Sequence, residues 1–148
     1  MDTKKKLLNL CLKQIEGRLN EITFAMQQAQ EAIESETKSS AGDKYETSRE
    51  MIQQDLNRYH MQLSKAKKDW ILLQKIETGA KEIIEIGAIV VTDKTTYFIA
   101  VSLGKQQVGE VSFIVVSPSS PIGRLMIGSK VGDYLSFNGT EQIITAVY

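Results

Sequence analysis

Two series of apolar residues, each stepping by four and three in turn, run through the first half of the chain and restrict it more than any other feature. The first is Leu8, Leu12, Ile15, Leu19, Ile22, Met26, Ala29 and Ile33; the second is Ile52, Leu56, Tyr59, Leu63, Ala66, Trp70 and Leu73. Such spacing places one narrow stripe on a helix, as in the seam of a two-stranded coiled coil. Neither stretch contains proline, and Gln, Glu, Lys and Ala fill the other positions as good helix formers. Between the series, residues 37–43 (Thr-Lys-Ser-Ser-Ala-Gly-Asp) form the only turn-like cluster of this half. The chain is therefore expected to double back there as an antiparallel helical hairpin over residues 1–77. With about 35 residues per arm and a rise of ~1.5 Å each, the arms reach on the order of 50 Å. A rod that buries only its seam needs an anchor or a partner.

The pattern changes after Gly79. Val, Ile, Thr and Phe come in short runs broken by Gly, Asn-Gly and Pro, which predicts strands near residues 88–92, 96–102, 110–117, 133–137 and 142–147. Asn138-Gly139 supplies a hairpin turn between the last two. One helix is expected over residues 120–127, with Pro121 in its first turn and Gly128 just past its end. The fold class is α+β: a coiled-coil hairpin, then a small antiparallel sheet with one short helix over residues 78–148. Residues 78–86 form the junction.

Composition narrows the function classes. Lys+Arg and Asp+Glu both number 18 in 148 residues, so the chain lacks the basic excess that phosphate-driven nucleic-acid binding needs. No apolar run approaches the roughly 18 residues that span a bilayer. The opening, MDTKKKLLNLCLKQIE, reads as an amphipathic helix and not as a signal peptide. Cys11 is the single cysteine, which excludes an internal disulfide and fits a reducing cytoplasm. Cys11 itself reads as a small helix residue, and His60 as a surface or seam-edge histidine with no second ligand nearby. Tyr59 and Trp70 fall on the stripe and are expected in the core. Lys65, Lys67 and Lys68 mark a solvated helix face before they mark an RNA contact. No nucleophile–base pair, phosphate-binding glycine loop or metal-ligand cluster appears, so the chain holds no active site of its own.

The hairpin tip carries Gly42-Asp43-Lys44-Tyr45-Glu46. Asp43 as N-cap with Glu46 three residues on is close to a capping box, favoured by the helix dipole. The same two carboxylates, one turn apart at the end of a rod, suit Mg²⁺, which takes one or two carboxylates and fills its other positions with water or phosphate oxygens. Two ligands are too few for a site alone. A tip of this kind would complete a site on another molecule. Both readings remain open on the residues.

The most specific string is Ser117-Pro118-Ser119-Ser120-Pro121-Ile122-Gly123-Arg124-Leu125-Met126-Ile127-Gly128-Ser129-Lys130-Val131-Gly132-Asp133. It resembles the C-terminal signature of the Gre family of transcript cleavage factors: a strand, Ser-Pro-Ile-Gly/Ala-Arg, a short helix, then Leu/Ile-Gly-Lys and Gly-Asp. The resemblance implies a coiled-coil N-terminal domain followed by an FKBP-like C-terminal domain. It implies bacterial RNA polymerase as partner, the coiled coil entering the secondary channel and the nascent RNA 3′ end met only indirectly. Ser120, Pro121, Ile122, Gly123 and Arg124 would dock on the coiled coil at the channel rim. Asp43 and Glu46 match the family's acidic pair and would help hold a second Mg²⁺ at the polymerase active centre. The chain would then stimulate hydrolysis of backtracked RNA without being an enzyme, binding no cofactor alone and acting as a cytoplasmic monomer. The sequence departs from the family pattern in its opening, which lacks a Thr and Gly before the first helix. It also has Ser39 in place of an arginine and Thr47 in place of an asparagine, leaving RNA contact to Lys38, Lys44 or Arg49.

Three other functions compete. A Gre-like factor can occupy the channel and modulate transcription without cleavage. A prolyl isomerase needs an aromatic-lined pocket, and Tyr97, Phe98, Phe113, Tyr134, Phe137 and Tyr148 are the aromatics left in the second half, several of which the sheet requires for its core. A coiled-coil adaptor would have no polymerase link.

Overall fold

The computed structural model describes residues 2–38 and 43–148, with side chains described for 3–35 and 48–148. In order, the elements are α1 (Asp2–Lys38), α2 (Asp43–Lys75), β1 (Ile89–Thr92), β2 (Thr96–Ile99), β3 (Gly104–Val108), β4 (Val111–Val116), α3 (Pro121–Met126), β5 (Tyr134–Phe137) and β6 (Thr140–Val147). The fold class expected from the periodicities stands: two long helices, then strands with one short helix. The chain divides into two compact units, Lys13–Trp70 and Met1–Leu12 with Ile71–Tyr148.

The helical unit follows the four-three stripe. Ile15, Ile22, Ile33, Leu56 and Ala66 are buried. Leu19, Met26, Ala29, Ile52, Tyr59, Leu63 and Trp70 are half-buried between them. A groove lined by Arg18, Glu21 and Ile22 of α1 and by Gln62, Lys65, Ala66 and Asp69 of α2 brings the arms side by side. The Trp70 indole Nε1 is buried without an acceptor among the described residues. Asp55–Arg58 at 2.9 Å and Lys65–Asp69 at 3.4 Å pair along α2. An exposed pair such as Asp55–Arg58 contributes at most about 1 kcal/mol.

In the sheet unit the ends of both helices change character. Leu7 and Cys11 are fully buried, with Leu73 and Ile76, whereas Leu8 and Leu12 of the expected stripe are only half-buried. A two-helix seam calls for a narrow stripe, but a helix that also meets a globular neighbour buries a wider arc. That neighbour is the sheet: Thr3 and Lys4 share one cavity wall with Ile89, Val91 and Phe113.

The six strands lie in the order β3-β4-β2-β1-β6-β5. Four pairings are antiparallel, as expected, but β2 and β4 run parallel, with Tyr97 opposite Ile114 and Ile99 opposite Val116. The parallel pair arises because the chain leaves β2, builds β3 at the sheet edge and returns as β4 beside β2. β3, Gly-Lys-Gln-Gln-Val, is absent from the expected strands because it alternates little and is mostly exposed. Lysine and glutamine suit an edge strand, where they discourage pairing with a second chain. β2 stops at Ile99, short of the expected residue 102. The β5–β6 turn has the expected form: Asn138 (φ 53°) and Gly139 (φ 78°) both adopt the left-handed conformation that a two-residue hairpin favours.

On one face of the sheet, Ile84, Ala88, Val90, Tyr97, Ile99, Val116, Leu135 and Ile144 pack with Ile122 and Met126 of α3. Gln142 is buried among them and accepts a hydrogen bond from the Thr92 hydroxyl at 2.6 Å, while its amide donates to the Tyr97 hydroxyl at 3.0 Å. Tyr97, Phe98 and Phe113 are all buried, so these aromatics serve the core.

Candidate functional site

The turn from β4 into α3 is built by the Ser-Pro-Ile-Gly residues. Ser120 is the N-cap: its Oγ accepts from the Gly123 N–H at 3.1 Å and donates to the Ser117 carbonyl at 2.7 Å. Pro121 occupies the first helical position, where a missing N–H costs nothing and the fixed φ suits the helix. Ile122 points into the core, 8% exposed. Gly123 lies against the chain that enters the turn, and a Cβ there would collide with the Ser117 carbonyl oxygen. Ile127 N–H closes the helix on the Gly123 carbonyl at 3.0 Å, and Gly128, with φ 85°, turns the chain away.

The turn that follows is tied down from the junction segment. Gly128 N–H donates to Ile84 O and Ile84 N–H to Ser129 O, both at 2.9 Å, beside an antiparallel bridge between Ile83 and Lys130. The Asp133 carboxylate accepts from Lys130 N–H at 3.0 Å. Ser120, Pro121, Ile122, Gly123, Gly128 and Asp133 of the string thus each have a local physical task. The Arg124 backbone N–H donates to Ser120 O at 2.9 Å, but its side chain is exposed and no hydrogen bond or ion pair engages that side chain among the described residues. In the same segment Leu125 (46%), Ile127 (41%) and Val131 (54%) are exposed, as is Ile83 on the bridging segment (55%). Sequence reading found Arg124 through the string but missed these neighbours, since apolar residues near a short helix are ordinarily assigned to the core.

Of the residues expected at the site, Ser120, Pro121, Ile122, Gly123 and Arg124 come together in one turn. The acidic pair is a different matter. The backbone places Asp43 at the first position of α2 with Glu46 one turn on, hence on one side of the helix. Their side chains, and Gly42 altogether, lie outside the described residues, as do the side chains of Lys38 and Lys44 among the candidate RNA contacts; the third candidate, Arg49, is exposed. The donor chemistry of the pair fits Mg²⁺ when another molecule supplies the remaining oxygens.

The other singled-out groups are plain. His60 is exposed. Lys65 pairs with Asp69, and Lys67 and Lys68 are exposed. Cys11 is buried, and burial pushes its thiol up to about 11, far from the reactive range. No helix among the described residues is long and apolar enough to cross a membrane.

No family model and no curated protein matches the chain. Among solved structures, the transcription factor Gfh1 matches at 18% identity and TM-score 0.38, covering 93% of each chain. The GreA factor homolog 1 (Gfh1) protein of Thermus thermophilus matches at 20% identity and TM-score 0.37, over 97% of this chain and 93% of that one. Thermus aquaticus Gfh1 matches at 19% and 0.37, over 100% and 96%. With TM-scores below 0.5, these likenesses carry no weight for function.

Proposed function

We propose that this chain is a Gre-like transcription factor that binds bacterial RNA polymerase through the α3 turn and reaches into the secondary channel with its helical hairpin. The observation that carries the reading is Arg124: its side chain is exposed and unengaged among the described residues, in a string that also exposes Leu125, Ile127 and Val131. An arginine on an apolar surface is a common centre of protein–protein interfaces. Docking there would anchor the sheet unit on the polymerase.

At the tip, Asp43 and Glu46 add two carboxylate ligands to a Mg²⁺ shared with the polymerase. A metal held there would supply water activation and charge stabilisation to the polymerase's hydrolysis, with Asp43 and Glu46 as the chain's two ligands. The chain itself contributes position and charge, and the polymerase performs the hydrolysis. No cofactor is needed by the chain alone, and a reducing cytoplasm is its setting.

A halted, backtracked polymerase complex tests this directly. Adding the chain is expected to shorten the RNA from its 3′ end, and Asp43→Asn or Glu46→Gln to slow that cleavage about tenfold or more, at least the loss that changing an outer-shell partner of a metal ligand brings. A second reading has its own observation: Ser39 and Thr47 replace the arginine and asparagine of the family pattern at the tip. A factor that occupies the channel without cleavage would bind polymerase through Arg124, slow nucleotide addition and leave RNA length unchanged. Failure to bind polymerase at all would sink both readings.

A further inference from the structure

The sheet unit holds a second feature that docking through α3 does not use. A cavity of about 340 Å³ lies against the sheet face opposite α3, in the size range of small-molecule sites. Ile89 and Val91 of β1 and Val111 and Phe113 of β4 line it, and Lys4, in the first turns of α1, closes one wall. Val111 is 46% exposed, so the cavity opens to solvent at that rim.

Lys4 is the anomaly. It is 4% exposed, the only buried lysine among the described residues. Its Nζ donates to the carbonyl of Gly79 at 3.1 Å, and Thr78 and Ala80 on either side of that glycine also line the cavity. The ammonium therefore stands at the cavity wall. An ammonium has three N–H donors. One carbonyl engages one of them, and no ion pair reaches Lys4 among the described side chains. A buried charge without a counter-charge is costly, and leucine or methionine would fill the same place more cheaply. Burial, and secondarily the nearby Lys81, both lower the Lys4 pKa, the direction expected of a cation short of partners. The backbone N–H groups of the first helical turn have no intrahelical acceptor and add to the attraction for a negative group.

We propose that this cavity binds a small amphiphilic carboxylate, its apolar body against Val91, Val111 and Phe113 and its carboxylate on Lys4 Nζ. A single ammonium in an otherwise apolar wall fits a singly charged head on a hydrocarbon or aromatic body, not a polyphosphate. The site lies on the sheet face opposite α3, the helix that carries Arg124, so it stands whether or not polymerase binds there.

Octanoate and 1-octanol, titrated into the isotopically labelled full chain and followed by backbone amide NMR, separate the charge from the chain. Octanoate is expected to saturate shifts at Ile89, Val91 and Phe113 and to bind about tenfold more tightly than octanol, as a charge-assisted contact would give. Lys4→Met should bring the two affinities within about twofold, while keeping octanol binding. Val111→Trp, which fills the rim, should weaken both about tenfold without disturbing the core, since Val111 is half-exposed. Equal affinities in the native chain, shifts that never saturate in the millimolar range, or saturable shifts away from these strands would each overturn the proposal. Should Lys4→Met not fold, the native preference and the Val111→Trp loss decide it.

Discussion

The hairpin arms and the sheet unit bury apolar surface in opposite ways. Between Lys13 and Trp70 the buried residues among those described, Ile15, Ile22, Ile33, Leu56 and Ala66, sit singly, with no buried neighbour on either side in sequence. In the sheet unit they come as unbroken runs: Gly87, Ala88, Ile89 and Val90, then Tyr97 through Val101. A strand covered on both faces has no outward side, so alternation disappears. The difference teaches that the arms are specified by period and the sheet unit by packing. The arms can lose one contact at moderate cost, whereas the sheet unit has a centre.

Three substitutions would break or sharpen that contrast. Phe98→Ala, at a side chain with no exposure, should cost the sheet unit about 4 kcal/mol, measured by urea unfolding followed at sheet-unit amides. Leu56→Ala, at 6% exposure in the arms, should cost about 2 kcal/mol by the same measurement, the low end for leucine truncation. Equal costs would mean that the seam is packed as tightly as the sheet core. Arg124→Glu should change stability by less than about 0.5 kcal/mol, since the side chain engages nothing in the described structure. Its effect should appear in co-purification with RNA polymerase instead, where the reversed charge abolishes recovery. A large stability loss would show that Arg124 belongs to the fold and not to a partner.

How much of this was legible depended on whether the determining contact was local. The arms, the Asn138-Gly139 turn and the Pro121-to-Gly128 helix all follow from residues a few positions apart, and all formed as expected. β3 escaped because an exposed edge strand needs no apolar face, and Gly104-Lys-Gln-Gln gives no period to read. The parallel β2–β4 pair escaped because strand direction depends on where β3 lies, which no local pattern encodes. Leu7 and Cys11 displaced Leu8 and Leu12 from the deepest positions because the sheet, distant in sequence, covers that side of α1. Lys4 bonds to a carbonyl 75 residues away, and no lysine in a charged opening announces such a fate. Within the candidate site, Ser120, Pro121 and Gly123 could be assigned tasks from residue type. The acidic pair could be named from residue type and spacing, and its side chains lie outside the described residues.

Cys11 gives the chain its own gauge of breathing. The one thiol is fully shielded where α1 lies within the sheet unit, and protonated at any ordinary pH. A thiol reagent can therefore reach it only during moments when the first turns of α1 lift away. Alkylation rates on the unmodified protein would report how often that happens, and Phe98→Ala should quicken them far more than Leu56→Ala. A ligand seated against Lys4 would slow them.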